Sequence, residues 1–251
     1  MSVKENMILC LSGFDPTGGA GILADIKTIE ATGMYGMGII TANTIQTEEL
    51  FLSSGWVAHD YIIKQLTTLL NAYRFNTVKI GITESLGLLL RIINIIKDKN
   101  PDIKIIWDPV LKSSTGHDFH SQINEESLHA ILSKIYLITP NIPEYKILFN
   151  DKKYDETGKK SFALLLKGGH SKSDKITDKL YINNKEILFN GNKSKSAKHG
   201  SGCVLSSAIA SFVSQGDSLI EACEKSKDYM NYFINSDHSL LGKHLYNYES
   251  N

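Results

Sequence analysis

At 251 residues, with 42% hydrophobic and 22% charged side chains, the chain can bury one large core and has an ordinary globular composition. Its 27 basic and 27 acidic side chains cancel, which argues against a nucleic-acid binder, and no apolar run nears the roughly 20 residues that span a bilayer. Three cysteines, Cys10, Cys203 and Cys223, without metal-ligand spacing, together with a first apolar run too short for a signal core, lead us to expect a cytoplasmic protein.

From the N-terminus, apolar runs at 7–11, 38–41, 78–80, 103–107, 136–138 and 163–166 predict strands buried on both faces. Between them, helical spacing predicts helices over 22–32, 60–72, 85–99, 124–134 and 142–149. The third of these carries Leu86, Leu89, Leu90, Ile93 and Ile96 on one broad face. Runs 179–182 and 186–189 flank Asn183-Asn184-Lys185 and predict a hairpin, since Asn tolerates positive φ. Helices over 202–215 and 218–235 close the pattern, with Gly216 stopping the first; the tail after Asp237 carries no assignable element. Strand–helix alternation of this kind predicts a mostly parallel, doubly wound α/β sheet with helices on both faces, in a single domain over 1–251.

In such sheets ligands bind beyond the carboxyl ends of the strands, and there the unusual residues collect. Residues 12–21, Ser-Gly-Phe-Asp-Pro-Thr-Gly-Gly-Ala-Gly, follow the first strand. They match neither a dinucleotide fingerprint nor a Walker loop, yet hold more glycines than a plain turn needs. Asp25 either complements the helix dipole or accepts a hydrogen bond from a substrate. Gln46 offers a donor and an acceptor in one planar group. Asp108-Pro109-Val110 is either a turn starter or a carboxylate poised for a cation near phosphate. Thr139-Pro140-Asn141, with Pro143 and Glu144, is explained by helix capping or by contact with phosphates through Mg²⁺.

Lys167-Gly168-Gly169-His170 puts a cation at the mouth of a buried strand, with His170 read as a surface or packing residue. Lys193, Lys195 and Lys198 read as a solvated surface loop or as a loop that lies near anionic phosphate. The sharpest signal is His199-Gly200-Ser201-Gly202-Cys203, where small residues run straight into a helix. Free amides of a first helical turn bind anions, and a transferring phosphoryl group is such an anion. The same field would lower the thiol pKa of Cys203.

Taken in order, these segments resemble the ribokinase-like superfamily, and within it the hydroxymethylpyrimidine and phosphomethylpyrimidine kinases of thiamine synthesis. The resemblance rests on 13–21 with Asp25, on Tyr35-Gly36-Met37 through Gln46, and on Lys79-Ile80-Gly81. It extends through Asp108-Pro109-Val110, Thr139-Pro140-Asn141 with Glu144, Lys167 to His170, and His199 to Cys203. It implies a three-layer α/β/α sandwich, commonly a homodimer, that uses ATP and Mg²⁺ on a small pyrimidine.

By similarity, Asp25 and Gln46 would recognise the pyrimidine, with Gly13, Ala20, Ile82 and Val110 about it. Asp108 and Glu144 would hold Mg²⁺, while Asn141, Lys167, Gly169 and Ser201 would contact ATP. Gly200, Ser201, Gly202 and Cys203 would form the anion hole, Cys203 replacing the aspartate base of sugar kinases. Ser201 stands where the family usually has Thr and Ile82 where it has Met, the stretch 111–116 is shifted, and the segment 151–160 is shortened. A pyridoxal or pyridoxine kinase is the nearest rival; a non-catalytic pyrimidine sensor is the rival of another class, although a sensor has no use for a phosphate site.

Overall fold

The computed structural model describes residues 6–111, 123–150, 161–169, 175–192 and 197–245. His170, Lys193, Lys195, most of 111–116 and all of 151–160 lie outside the described residues. Nine strands form one sheet: β1 (Met7–Phe14), β2 (Tyr35–Gln46), β3 (Phe51–Trp56), β4 (Thr77–Ile80), β5 (Lys104–Trp107), β6 (Leu137–Ile138), β7 (Ala163–Leu166), β8 (Lys175–Ile182) and β9 (Lys185–Asn192). Their order is β3-β2-β1-β4-β5-β6-β7-β8-β9. The strands from β2 to β7 run parallel, and β3, β8 and β9 add antiparallel edges.

Helices α1 (Gly21–Ala31), α2 (His59–Ala72), α3 (Leu86–Lys99), α4 (Glu125–Leu132), α5 (Ile142–Phe149), α6 (Ser201–Gln215) and α7 (Leu219–Asn235) complete the layers. Successive side chains of β1 point to opposite faces. Leu9 and Leu11 therefore join Ile62, Leu66, Leu89 and Ile93 in one core, while Ile8 and Cys10 join Ala24, Ile209 and Tyr229 in the other. This two-sided burial explains why the strand runs read as apolar rather than alternating.

Local chemistry sets the boundaries. Ser85 caps α3 by accepting from the Leu88 amide, and Ser218 and Glu221 form a capping box at α7. Asn183 and Asn184 both take positive φ, 50° and 61°, and turn β8 into β9. Strand β3 was not expected: Ser53, Ser54 and Gly55 interrupt any apolar run, and it exists through antiparallel pairing with β2. The same pairing carries β2 beyond the apolar run at 38–41 to Gln46, the residue expected to end the second strand region. The described part of the tail, 238–245, forms no regular element but is packed, Leu240 accepting from the His199 amide and His244 hydrogen-bonding Tyr229. Among the described residues, no helix is long and apolar enough to cross a membrane.

Leu89 is fully buried at the centre of the α3 face. Leu89→Ala should lower unfolding stability by about 2–5 kcal/mol, read as a reduced urea midpoint.

Candidate active site

The glycine-rich loop leaves β1 and enters α1 under the control of Asp15, which is 1% exposed. One or both carboxylate oxygens accept from the Thr17 amide, the Thr17 hydroxyl and the Ala20 amide, each at 2.9 Å. His199 reaches the same carboxylate through Nε2 at 2.8 Å, tying this loop to the start of α6. Burial works against the charge of Asp15, but His199 and Thr17 hold its carboxyl below the usual range.

Gly200 precedes α6 with φ 72°. A Cβ there would lie 2.0 Å from the Gly19 carbonyl oxygen, so only glycine permits this approach. Val204 is the first residue of α6 whose amide is taken within the turn, by the Gly200 carbonyl at 3.0 Å. The amides of Ser201, Gly202 and Cys203 have no acceptor among the described residues. Three such donors on a fifteen-residue helix make an anion site.

Opposite them stands a charged cluster from three strand ends. Lys167, after β7, donates to Asp108, after β5, at 2.8 Å, and Thr139, after β6, donates to the same oxygen at 3.0 Å. Ser206, on α6, donates to the other oxygen at 3.4 Å. Burial opposes the charge of Lys167, yet Asp108 and Glu144 hold its ammonium protonated. For Asp108 burial pushes upward, and Lys167 with Lys79 hold the carboxyl below the usual range.

Gly168 behind the lysine is pressed against β8, where a Cβ would fall 2.2 Å from the Thr177 carbonyl oxygen, and its amide donates to Asp178 at 2.8 Å. Glu144 and Asn141 form a capping box on α5, Asn141 accepting from the Glu144 amide and Glu144 from the Asn141 amide. Burial, with Asp108 adding to it, pushes the Glu144 carboxyl up to about 7 although Lys167 pulls it down.

These groups share one cavity of about 1020 Å³. Gly13, Ala20, Gln46, Ile82 and Val110 line one part; Asp108, Asn141, Glu144, Lys167 and Gly169 line another, facing Gly200, Ser201, Gly202 and Cys203. Phe14 and Phe51 add aromatic walls. Asp25 is the exception. It is fully buried off the cavity wall, accepting from Lys79 at 2.9 Å on both oxygens and from Ser207 at 2.8 Å, so it is not available to a substrate.

Three further expectations are corrected. The run 78–80 is not wholly apolar, since the fully buried Lys79 needs the Asp25 carboxylate beside it. Lys198 is buried rather than solvated, donating to the Asp237 and Ser239 carbonyls. The Cys203 thiol is raised, not lowered: burial pushes it up to about 11, with Asp25 and Asp108 adding to the rise while Lys79 and a hydrogen bond from the Gly21 amide oppose it.

Asp15, Lys79 and His199 were not singled out from the sequence as functional side chains. The Asp-x-Thr spacing inside a glycine-rich turn signals a side chain bonding its own loop, and a lysine within a buried strand signals a buried partner. His199 left no comparable local signal, because its partner lies 184 residues away.

The donor set suits a nucleotide with its cation. Free amides and Lys167 match phosphate oxygens, and Asp108 and Glu144 are hard oxygen ligands on the same cavity. Among the described residues no group of three or more His, Cys, Asp or Glu side chains could hold a metal, so Mg²⁺ there would rely on phosphate and water for its other ligands.

Two outcomes test this geometry. Gly200→Ala must strain the backbone and push α6 from Gly19, so ATP turnover should fall by about 10²-fold or more while circular dichroism stays native. In magnesium-free buffer Glu144 binds its proton more tightly folded than unfolded, because its folded pKa of about 7 exceeds the ordinary 4.5. Its contribution therefore favours folding at acidic pH and is withdrawn as pH rises between those values. Glu144→Gln keeps the capping box and should raise Tm over wild type at pH 8 more than at pH 5; an equal Tm difference at both would refute the assignment.

The phosphomethylpyrimidine kinase family matches residues 15–247. A hydroxymethylpyrimidine/phosphomethylpyrimidine kinase of Aquifex aeolicus is 32% identical over 246 residues, covering 92% of this chain and 95% of its own. A phosphomethylpyrimidine kinase structure from Clostridium difficile superposes with a TM-score of 0.74 at 31% identity, over 90% of this chain and 98% of that one. The ADP complex of Bacillus subtilis pyridoxal kinase reaches a TM-score of 0.82 at 23% identity, over 95% and 97%, a likeness of fold alone. The sheet, the helix layers and the phosphate-facing end of the cavity thus have one common explanation: this chain belongs to the phosphomethylpyrimidine kinase family and is a ribokinase-like small-molecule kinase.

Proposed function

We propose that the chain transfers the γ-phosphoryl group of ATP to the hydroxymethyl group of 4-amino-5-hydroxymethyl-2-methylpyrimidine and/or to its monophosphate, in thiamine biosynthesis. The observation that carries the reading is the meeting, in one cavity, of the free Ser201, Gly202 and Cys203 amides with the Lys167–Asp108 pair. ATP bound there supplies the phosphoryl group, and Mg²⁺ neutralises its oxygens.

In this reading Lys167, Asn141, Gly169 and Ser201 hold the phosphates, and Asp108 with Glu144 hold the cation. The α6 amides face the negative charge that builds on the transferring group. Phe14, Ile82, Ala20 and Val110 clasp a flat ring, Gly13 lets it approach the backbone, and Gln46 fixes its orientation. The thiolate of Cys203 is a minor species near neutral pH, since burial pushes the thiol up to about 11. Cys203 therefore orients the acceptor hydroxyl through its sulfur, and the hydroxyl proton would pass late to an oxygen of the transferred phosphoryl group, as a loose transition state allows.

A second reading, phosphorylation of pyridoxal or pyridoxine, is favoured by the fold likeness to the pyridoxal kinases of Bacillus subtilis and Staphylococcus aureus and by walls that would accept any flat heteroaromatic ring. The large exposed apolar side chains of the β2–β3 edge, Ile45, Leu50 and Leu52, support a homodimer.

A coupled ATP assay on the hydroxymethylpyrimidine, its phosphate, pyridoxal and pyridoxine tests the reading. Turnover should be highest on the two pyrimidines; preference for pyridoxal would transfer the assignment, and no turnover on any would point to a binding protein. Cys203→Ala should lose most turnover, about tenfold or more, and keep nucleotide affinity. An unchanged kcat would remove Cys203 from the mechanism.

A further inference from the structure

Directly beneath the cavity floor lies an ion pair that no catalytic step above employs. Helices α1 and α6 meet there in two rungs. At the upper rung the first turns of the two helices carry Gly21 and Cys203, both on the cavity wall. At the lower rung, one helical turn further along both chains, Asp25 accepts from Ser207 at 2.8 Å. Lys79 rises from β4 to close the lower rung, its ammonium 2.9 Å from both Asp25 oxygens and fully buried.

That ammonium sits near the strand end: a Cβ on Gly81 would lie 3.2 Å from it and 2.8 Å from the Ser12 hydroxyl. The charged and titratable neighbours come from every packed element: Asp25 on α1, Cys10 on β1, Asp108 after β5 and Cys203 on α6. A buried ion pair adds little stability over apolar packing of the same volume, whereas a fixed charge acts strongly on its surroundings where water is excluded.

We propose that Lys79 and Asp25 are positioning residues for phosphoryl transfer, a fixed ion pair one helical turn below Cys203 that sets the electrostatic potential at its sulfur. Lys79 favours negative charge there and Asp25 restrains it, so the two charges act in opposite directions on one atom. The catalytic consequence rests on the role given to Cys203 under the proposed function; the electrostatic one does not.

The test reads the thiol itself. Cys203 is alkylated with iodoacetamide at fixed pH in the ligand-free protein, in a Cys10→Ala, Cys223→Ala background so that one thiol reports. Lys79→Met should slow alkylation by about tenfold or more, and Asp25→Asn should speed it by a similar factor, because the thiolate fraction follows the local charge. The double variant removes both charges with little change of volume; it should fold and react more slowly than wild type but faster than Lys79→Met alone, because Lys79 acts on the sulfur more strongly than Asp25.

A purely structural pair would change both single variants in the same direction, or neither, and that outcome overturns the proposal. Should either single variant fail to fold, the double variant against wild type decides: slower alkylation supports Lys79 as the stronger influence, and an equal or faster rate overturns it. In turnover, Lys79→Met should lower kcat several-fold and leave KM for ATP within about twofold. If Cys203→Ala leaves kcat unchanged while the opposite alkylation shifts appear, the mechanistic reading fails and the electrostatic inference stands.

Discussion

Gly200 lies so close to Gly19 that a single methyl group would stand 2.0 Å from a carbonyl oxygen, and the rest of the site depends on that approach. It brings the start of α6 against the turn that opens α1, so two helix N-termini converge over the carboxyl ends of β1, β4 and β5. Asp15 and His199 hold the contact from the side, and the Leu240 carbonyl anchors the His199 amide from the tail. Donor amides, a thiol and an aromatic-walled pocket then share one cavity. A longer separation would leave an anion site and a ring pocket as two unrelated features.

Charge follows the same geometry. The sheet delivers Asp108, Thr139 and Lys167 from three adjacent parallel strands, so their separations are set by strand spacing rather than by loop conformation. Both carboxylates are buried, which makes each respond to its neighbours: Asp108, paired with Lys167, stays ionised, whereas Glu144, hydrogen-bonded by a backbone amide and facing Asp108, is pushed toward neutrality although Lys167 opposes it. One more positive charge would relieve Glu144, and a cation brought in with phosphate is such a charge. The cluster is thus arranged for a negatively charged guest that arrives with its own counter-ion.

Much of this was legible in the sequence because strand ends and helix starts carry local signatures. The glycine pattern at 200–202, the lysine after a buried strand, and the Asn141–Glu144 spacing each announce their role over a few residues. What stayed hidden depends on distance in sequence or on pairing. Strand β3 has no apolar run of its own and exists through β2. Asp25 read as a free acceptor because Lys79, 54 residues away, neutralises it. For the Cys203 thiol the helix dipole was visible, but the burial that outweighs it belongs to the assembled fold.

Withdrawing Asp25 from the ring pocket changes what can recognise a substrate. With that carboxylate spent on Lys79 and Ser207, the proposed reading leaves Gln46 to read the polar edge of the ring among the wall residues it assigns. A primary amide offers one acceptor and two donors in a plane. An aminopyrimidine edge presents a ring nitrogen beside an N–H donor, which one amide can satisfy with two parallel hydrogen bonds. A pyridoxal ring presents a hydroxyl and an aldehyde along its edge, and one amide would leave part of that pattern unpaired, at a cost of about 1–3 kcal/mol where that edge is buried. On the proposed reading, discrimination between the two rings would fall on Gln46 and the walls around it, while the residues that follow β5 and β7 and open α6 would serve either acceptor.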